Sequence, residues 1–281
     1  MSTTTYTAPI QYDAPVESIA DCAAYARPQS RATRALILAA AAGAGVAGAA
    51  ISIGYLPRAS TIAGLLLALA FLGGLLSTWS PCGYSSLCLL RPAGRYSAGS
   101  VLRYVPTFTV HGLGYALGAV LLGGALGFAG YLLSLERLMA GGTVVLAVLA
   151  VLYGIHQLGF LKMPYPQRRA QVPHDARQRF PMWVVGLIYG FALGLDYLTY
   201  VQTPILYIVT GAALLSGEIG VAIGLVALFN LGRFLPMLVT LLPIPDRAVQ
   251  SWLAHRQEKA AAFDGFLLVF AGSAVLTLTV L

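Results

Sequence analysis

Ser80-Pro81-Cys82-Gly83-Tyr84-Ser85-Ser86-Leu87-Cys88 interrupts a long apolar stretch of this chain. Upstream runs Ala63-Gly64-Leu65-Leu66-Leu67-Ala68-Leu69-Ala70-Phe71-Leu72, and downstream follow Leu89-Leu90-Arg91. An apolar run of this length reads as membrane-spanning. Proline within it removes a backbone donor and disturbs the preceding turn. Backbone freed at membrane depth then needs protein or a water-filled cavity to cover it. Cysteines at such a break are candidates for thiol chemistry inside the membrane, with small buried packing residues as the alternative. On a straight helix Cys82 and Cys88 are separated by roughly 9 Å of rise, beyond disulfide reach. Bridging them requires an unwound turn at Pro81-Cys82-Gly83. Otherwise each meets a different partner thiol, and the spacing leaves both arrangements open.

The rest of the chain has the same apolar character. It is 58% hydrophobic and 10% charged, where soluble domains carry about 25% charged residues. The composition therefore predicts an all-α polytopic membrane protein and excludes a soluble enzyme. Apolar runs place seven spans at about 35–56, 61–90, 105–133, 138–161, 182–215, 219–242 and 262–281. The second and fifth exceed the roughly 20 residues a straight span needs. Each contains a proline or polar break, which predicts tilted or broken helices.

A net charge of +7 does not require a nucleic-acid partner. With the N-terminus in the cytoplasm, the inner segments hold Arg27, Arg31, Arg34, Arg91, Arg95, Arg103, Lys162, Arg168, Arg169, Arg177, Arg179, Arg247, Arg256 and Lys259. The outer segments hold Arg58 and Arg137, and Arg233 lies within a span. This asymmetry is the positive-inside pattern of a membrane protein with its N-terminus in the cytoplasm and its C-terminus outside. Residues 1–34 are polar, include Pro9, Pro15 and Pro28, and read as a cytoplasmic tail rather than a cleaved signal. Cys22 in that tail faces a reducing compartment. The basic link at 162–180, with Pro164, Pro166 and Pro173, reads as a surface loop near anionic lipid headgroups.

Organisation follows from the span count. The Ala- and Gly-rich segment 35–60 reads as an added helix, leaving three spans in 61–161 and three in 181–281. These two units have opposite orientation, as an inverted repeat requires. Gly73-Gly74-Leu75-Leu76-Ser77-Thr78-Trp79-Ser80-Pro81 has a counterpart in Gly190-Phe191-Ala192-Leu193-Gly194-Leu195-Asp196-Tyr197, followed by Thr203-Pro204. In such folds the site lies where the paired broken helices meet. Pro81, Gly83, Gln202 and Pro204 are the helix-break and cavity candidates, with Trp79 and Tyr200 beside them. Glycines four residues apart, such as Gly186, Gly190 and Gly194, or Gly220 and Gly224, are read as helix-packing positions.

Asp196 is the second chemical candidate after the thiols. An intramembrane acid is costly and faces a cavity or a partner. It either pairs with Arg233 or accepts the proton released when a thiolate forms. His111 and His156 show no further ligand-type residues at supporting spacing, and a packing role is favoured. No metal or cofactor is expected. Phosphate loops, HExxH helices, nucleophile elbows and zinc-ribbon cysteine pairs are absent from the sequence.

Ser80-Pro81-Cys82 behind a glycine-rich apolar helix resembles the first reactive-cysteine helix of the CcdA and DsbD transmembrane thiol-relay family. Gly190-Phe191-Ala192-Leu193-Gly194-Leu195 resembles the entry to that family's second reactive helix. Phe229-Asn230-Leu231-Gly232-Arg233-Phe234-Leu235-Pro236 resembles the helix that follows. The resemblance spans roughly residues 61–281. It implies carriage of reducing equivalents from cytoplasmic thioredoxin to extracytoplasmic thiol proteins. It departs where the family has Trp-Thr-Pro-Cys, because Tyr197-Leu198-Thr199-Tyr200-Val201-Gln202-Thr203-Pro204 has no cysteine. The family's usual pair, one cysteine from each repeat, therefore cannot form, so either Cys88 substitutes or the relay is lost.

The string from Leu76 through Cys88 to Pro92, with the added first helix, more specifically resembles the MauF family of methylamine utilisation. That resemblance implies an inner-membrane accessory protein for maturation of methylamine dehydrogenase. Thiol–disulfide exchange or reductant transfer would support disulfide formation in the small subunit. The implied partners are the membrane protein MauE, the thioredoxin-like MauD and that small subunit. Two other functions fit the residues. One is a small-solute transporter with Pro81, Asp196, Gln202 and Arg233 at its site, and the other is a non-catalytic scaffold for a maturation partner.

Overall fold

A computed structural model describes residues 29–80, 83, 86–87, 90–92, 96–164 and 179–281. Pro81, Cys82 and Cys88 lie outside the described residues, as do Cys22 and most of the basic loop. All regular structure among the described residues is helical. Among the described residues the helices with defined bounds are α1 (Arg31–Ser52), α2 (Arg58–Leu76), α3 (Ala98–Leu132), α4 (Met139–Gln157), α5 (Met182–Gly194), α6 (Ile205–Ser216), α7 (Ile219–Phe234) and α8 (Asp246–Val280). Short 3-10 turns extend α2 through Ser77–Trp79, precede α4 at Leu135–Leu138 and follow α7 at Leu235–Leu241.

Six of these helical stretches are long and apolar enough to cross a membrane, which makes this a multi-pass membrane protein. The fifth expected span is not one helix. It is divided into α5 and α6, both too short to cross alone, with residues 195–204 between them.

Physical reasons for the divisions are local. Pro204 caps α6, where its missing N–H costs nothing. Asp196 ends α5 in the left-handed region at φ 51°, a conformation that aspartate tolerates better than most side chains. Its N–H bonds to the Leu193 carbonyl at 3.1 Å, closing the helix end. Helix α2 stops before the proline, passing through Ser77–Trp79 into extended backbone at Ser80. Ser77 and Ser80 hydroxyls donate to the carbonyls of Gly74 and Ser77 at 2.6 and 2.5 Å, covering backbone that the ending helix frees.

Two boundaries differ from the sequence reading. Helix α8 begins at Asp246, well ahead of the expected 262. Its first half, with Arg247, Arg256 and Lys259, is helical rather than a link, because Val249, Leu253 and Ala254 form a buried stripe on one face. Helix α3 likewise begins at Ala98, where Ser97 and Ser100 cap it reciprocally.

Small residues bring the helices together. A side chain at Gly74 would collide with the Phe229 carbonyl, and one at Gly232 with the Phe71 carbonyl, so α2 and α7 touch backbone to backbone. Gly114 and Gly118 of α3 meet α5 in the same way at Gly190 and Gly194. Helix α1 lies along α8, with Gly45 against Ser273 and Phe270. Gly220 and Gly224 were expected to pack, yet nothing lies within 4 Å of either position, so their spacing marks an open helix face.

Candidate functional site

Two polar clusters occupy the break between α5 and α6, one on each side. The first joins the break to α7. Arg233 Nη1 lies 2.8 Å from Asp196 Oδ1, and both side chains are buried. The same nitrogen donates to the Leu193 carbonyl at 2.9 Å, and Nη2 donates to Thr199 Oγ1 at 3.2 Å. Asn230, one turn before Arg233, donates through Nδ2 to the Gly194 carbonyl at 2.8 Å. Helix α7 thus supplies donors to the carbonyls freed where α5 ends, as membrane-buried backbone requires. Asp196 Oδ2, Arg233 Nε and Asn230 Oδ1 are buried and keep unfilled hydrogen-bonding capacity.

His111 of α3 stands nearby. Its Nδ1 lies 2.9 Å from the Gly186 carbonyl, and its ring meets Tyr115 edge-on at 5.2 Å between centroids. This ties α3 to α5. His156 is elsewhere, where its Nδ1 accepts from the Met163 N–H at 2.9 Å. The two imidazoles therefore do not converge, and no group of three potential metal ligands occurs among the described residues.

The second cluster joins the break to α4 and α8. Thr203 donates through Oγ1 to Asp264 Oδ1 at 2.5 Å. Gln157 Nε2 donates to Asp264 Oδ2 at 2.7 Å and to the Gln202 carbonyl at 3.2 Å. A small pocket here is lined by Leu76, Trp79, Gln202, Thr203, Gln257 and Asp264, among others. Trp79 donates its indole N–H to the Leu253 carbonyl at 3.0 Å and packs against Trp252. The end of α2, immediately before Ser80, therefore faces the α5–α6 break.

The candidates fall into place unequally. Asp196 and Arg233 are paired, while Trp79, Gln202 and Pro204 gather around the break. Gly83 is buried with its Cα against Thr78, where a side chain would clash. Tyr200 is half-buried in the link. Asp264 was not singled out from the sequence. Its signal was an acid inside the seventh expected span, the same signal that marked Asp196. Asn230, Gln157 and Thr203 carry no comparable signal, because single amides and hydroxyls are common in spans.

Comparison with known proteins gives the family. Methylamine utilization protein MauF of Methylorubrum extorquens is 56% identical over 265 residues, covering 94% of this chain and 93% of that protein. The chain belongs to the MauF family. The MauF protein of Methylobacillus flagellatus is 56% identical over 95% of this chain and 94% of its own length. The MauF protein of Paracoccus denitrificans is 54% identical over 91% and 92%. No protein-family model matches, and neither does a solved structure. MauF membership places this chain in the methylamine utilisation system.

Proposed function

We propose that this protein is an inner-membrane accessory factor for maturation of methylamine dehydrogenase. It acts by thiol–disulfide exchange or reductant transfer at Cys82 and Cys88, supporting disulfide formation in the dehydrogenase small subunit. MauE and the thioredoxin-like MauD are its partners. In this reading the chain crosses the membrane seven times, with α5 and α6 as one broken span, the N-terminus in the cytoplasm and the C-terminus in the periplasm. Its core is a CcdA/DsbD-like inverted repeat.

The observation that supports this reading is the meeting of two helix breaks. The end of α2 at Trp79, three residues before Cys82, and the α5–α6 link at Gln202 and Thr203 line one pocket. Paired broken helices of this kind are where inverted-repeat membrane proteins place their sites. Exchange needs a thiolate and access for a partner thiol, so a cysteine beside a protected break reacts only when its surroundings open. The test is a Cys82→Ser/Cys88→Ser variant in a host that grows on methylamine. The expected result is reduced dehydrogenase small subunit that lacks native disulfides, with normal amounts of the variant in the membrane. Unchanged dehydrogenase disulfides at that level of protein would refute it.

A second reading, a small-solute transporter on the same fold, draws on the unfilled atoms Asp196 Oδ2, Arg233 Nε and Asn230 Oδ1. In that case the serine variants are silent and Arg233→Gln abolishes function. A scaffold tolerates all of these changes while the protein remains folded.

A further inference from the structure

Asp264 is a buried carboxyl that pairs with no cation among the described residues. It is 3% exposed on α8. Its bonds come from a neutral hydroxyl, Thr203, and a neutral amide, Gln157. Asp196, by contrast, is held by the Arg233 guanidinium. A buried carboxylate with no positive partner is costly, so such a group inside a span marks a functional site.

The surroundings suit a proton-binding site. The groups lining the pocket with Asp264 are Leu76, Trp79, Gln157, Gln202, Thr203, Gln257, Ala260 and Ala261, and none of them titrates near neutrality. On the elements packed against this part of α8, the titratable groups are engaged elsewhere. Arg34 of α1 pairs with Glu258 at 3.9 Å. Tyr153 of α4 donates to the Pro164 carbonyl, and His156 accepts from Met163. Lys259 is exposed on the opposite side of α8. Among the described residues, Asp264 is the only acid or base lining this pocket.

Thr203 makes the site reversible. A hydroxyl both donates and accepts, so it donates to the carboxylate and, once its hydrogen turns away, accepts from the carboxylic acid. The Thr203–Asp264 contact is 2.5 Å. The Thr203 oxygen also accepts the Ile205 N–H at 3.2 Å, at the first turn of α6. Protonation at Asp264 is therefore linked through one hydroxyl to the start of α6, and through Gln157 to the Gln202 carbonyl.

We propose that Asp264, with Thr203 and Gln157, is a proton-binding site whose occupancy sets how the α5–α6 break is held against α4 and α8. This stands whether or not the cysteines exchange thiols, because it uses none of them.

The test is infrared difference spectroscopy of the full-length protein in lipid nanodiscs, wild type against Asp264→Asn, across a pH titration. The expected difference is a protonated-carboxyl C=O band that is absent from Asp264→Asn and whose intensity changes across the titration. Thr203→Val keeps the carboxyl and removes its hydroxyl partner, so it shifts that band even if Asp264→Asn does not fold. A difference spectrum showing only carboxylate bands throughout would overturn the proposal. So would a Thr203→Val protein whose carboxyl band is unmoved. A carboxyl band abolished by sodium at constant pH would also overturn it, replacing the proton with a metal cation as the ligand.

Discussion

Arg233 Nη1 and Asp196 Oδ1 lie 2.8 Å apart with side-chain exposures of 1% and 0%. One residue belongs to an intact helix and the other to the end of a broken one. Removing only the cation leaves a buried carboxylate unanswered, which costs about 3–5 kcal/mol. Arg233→Met therefore lowers the unfolding midpoint sharply, and Arg233→Met/Asp196→Asn recovers part of the loss. Asparagine suits the second position because it also tolerates the left-handed backbone of Asp196. Thermal unfolding followed by tryptophan fluorescence measures both. A double-variant loss equal to the sum of the Arg233→Met and Asp196→Asn losses would show that the two groups are not coupled.

Close contact of α2 with α7 rests on Gly74 and Gly232. Alanine at either position meets backbone rather than a movable side chain. Overpacking of this kind costs about 1–3 kcal/mol. Gly74→Ala and Gly232→Ala should reduce the yield of monodisperse protein. Gly64→Ala and Gly220→Ala, at positions with nothing within 4 Å, should not. Size-exclusion profiles of the four variants provide the comparison.

Trp79 ties the end of α2 to α8 through its indole N–H and the Leu253 carbonyl. Trp79→Phe keeps the ring and removes the donor. The loss is about 0.5–1.5 kcal/mol for one hydrogen bond. The midpoint should fall slightly in a thermal melt, with Leu253 amide exchange near α8 accelerated. An unchanged melt and unchanged exchange would show that ring packing alone holds this corner.

The charge asymmetry of the sequence gives the expectation of a cytoplasmic N-terminus and a C-terminus on the other side. A reporter that is active only outside the cytoplasm, fused after Leu281, should be active, and one fused before residue 29 should be inactive. The reverse pair of results would invert the topology, and activity at both ends would require an even number of crossings.

Much of this architecture was legible because membrane burial writes strong signals. Long apolar runs marked the helices, and Pro204 with Asp196 marked where the fifth run divides. An intramembrane acid and an intramembrane arginine were conspicuous enough to be considered together. The beginning of α8 was not legible, since Arg247, Arg256, Glu258 and Lys259 read as a polar link when only apolar runs are followed. The buried stripe Val249, Leu253 and Ala254 is an amphipathic signal of a different period. Asp264 was legible as an acid inside the expected span 262–281 but was not singled out, because no partner for it was conspicuous in the sequence. The glycines split for a physical reason as well. Spacing by four shows that a helix has a smooth face, and only the neighbour decides whether anything packs there, as Gly190 and Gly220 illustrate.

The most direct measurement is thiol trapping in intact membranes with a mass-adding maleimide, on a Cys22→Ser background and with the maturing dehydrogenase present. Exchange chemistry predicts that Cys82 and Cys88 cycle between labelled and protected forms, or that Cys82 is caught in a mixed disulfide with a partner. Both thiols remaining reduced throughout, with no mixed disulfide while dehydrogenase matures normally, would contradict it.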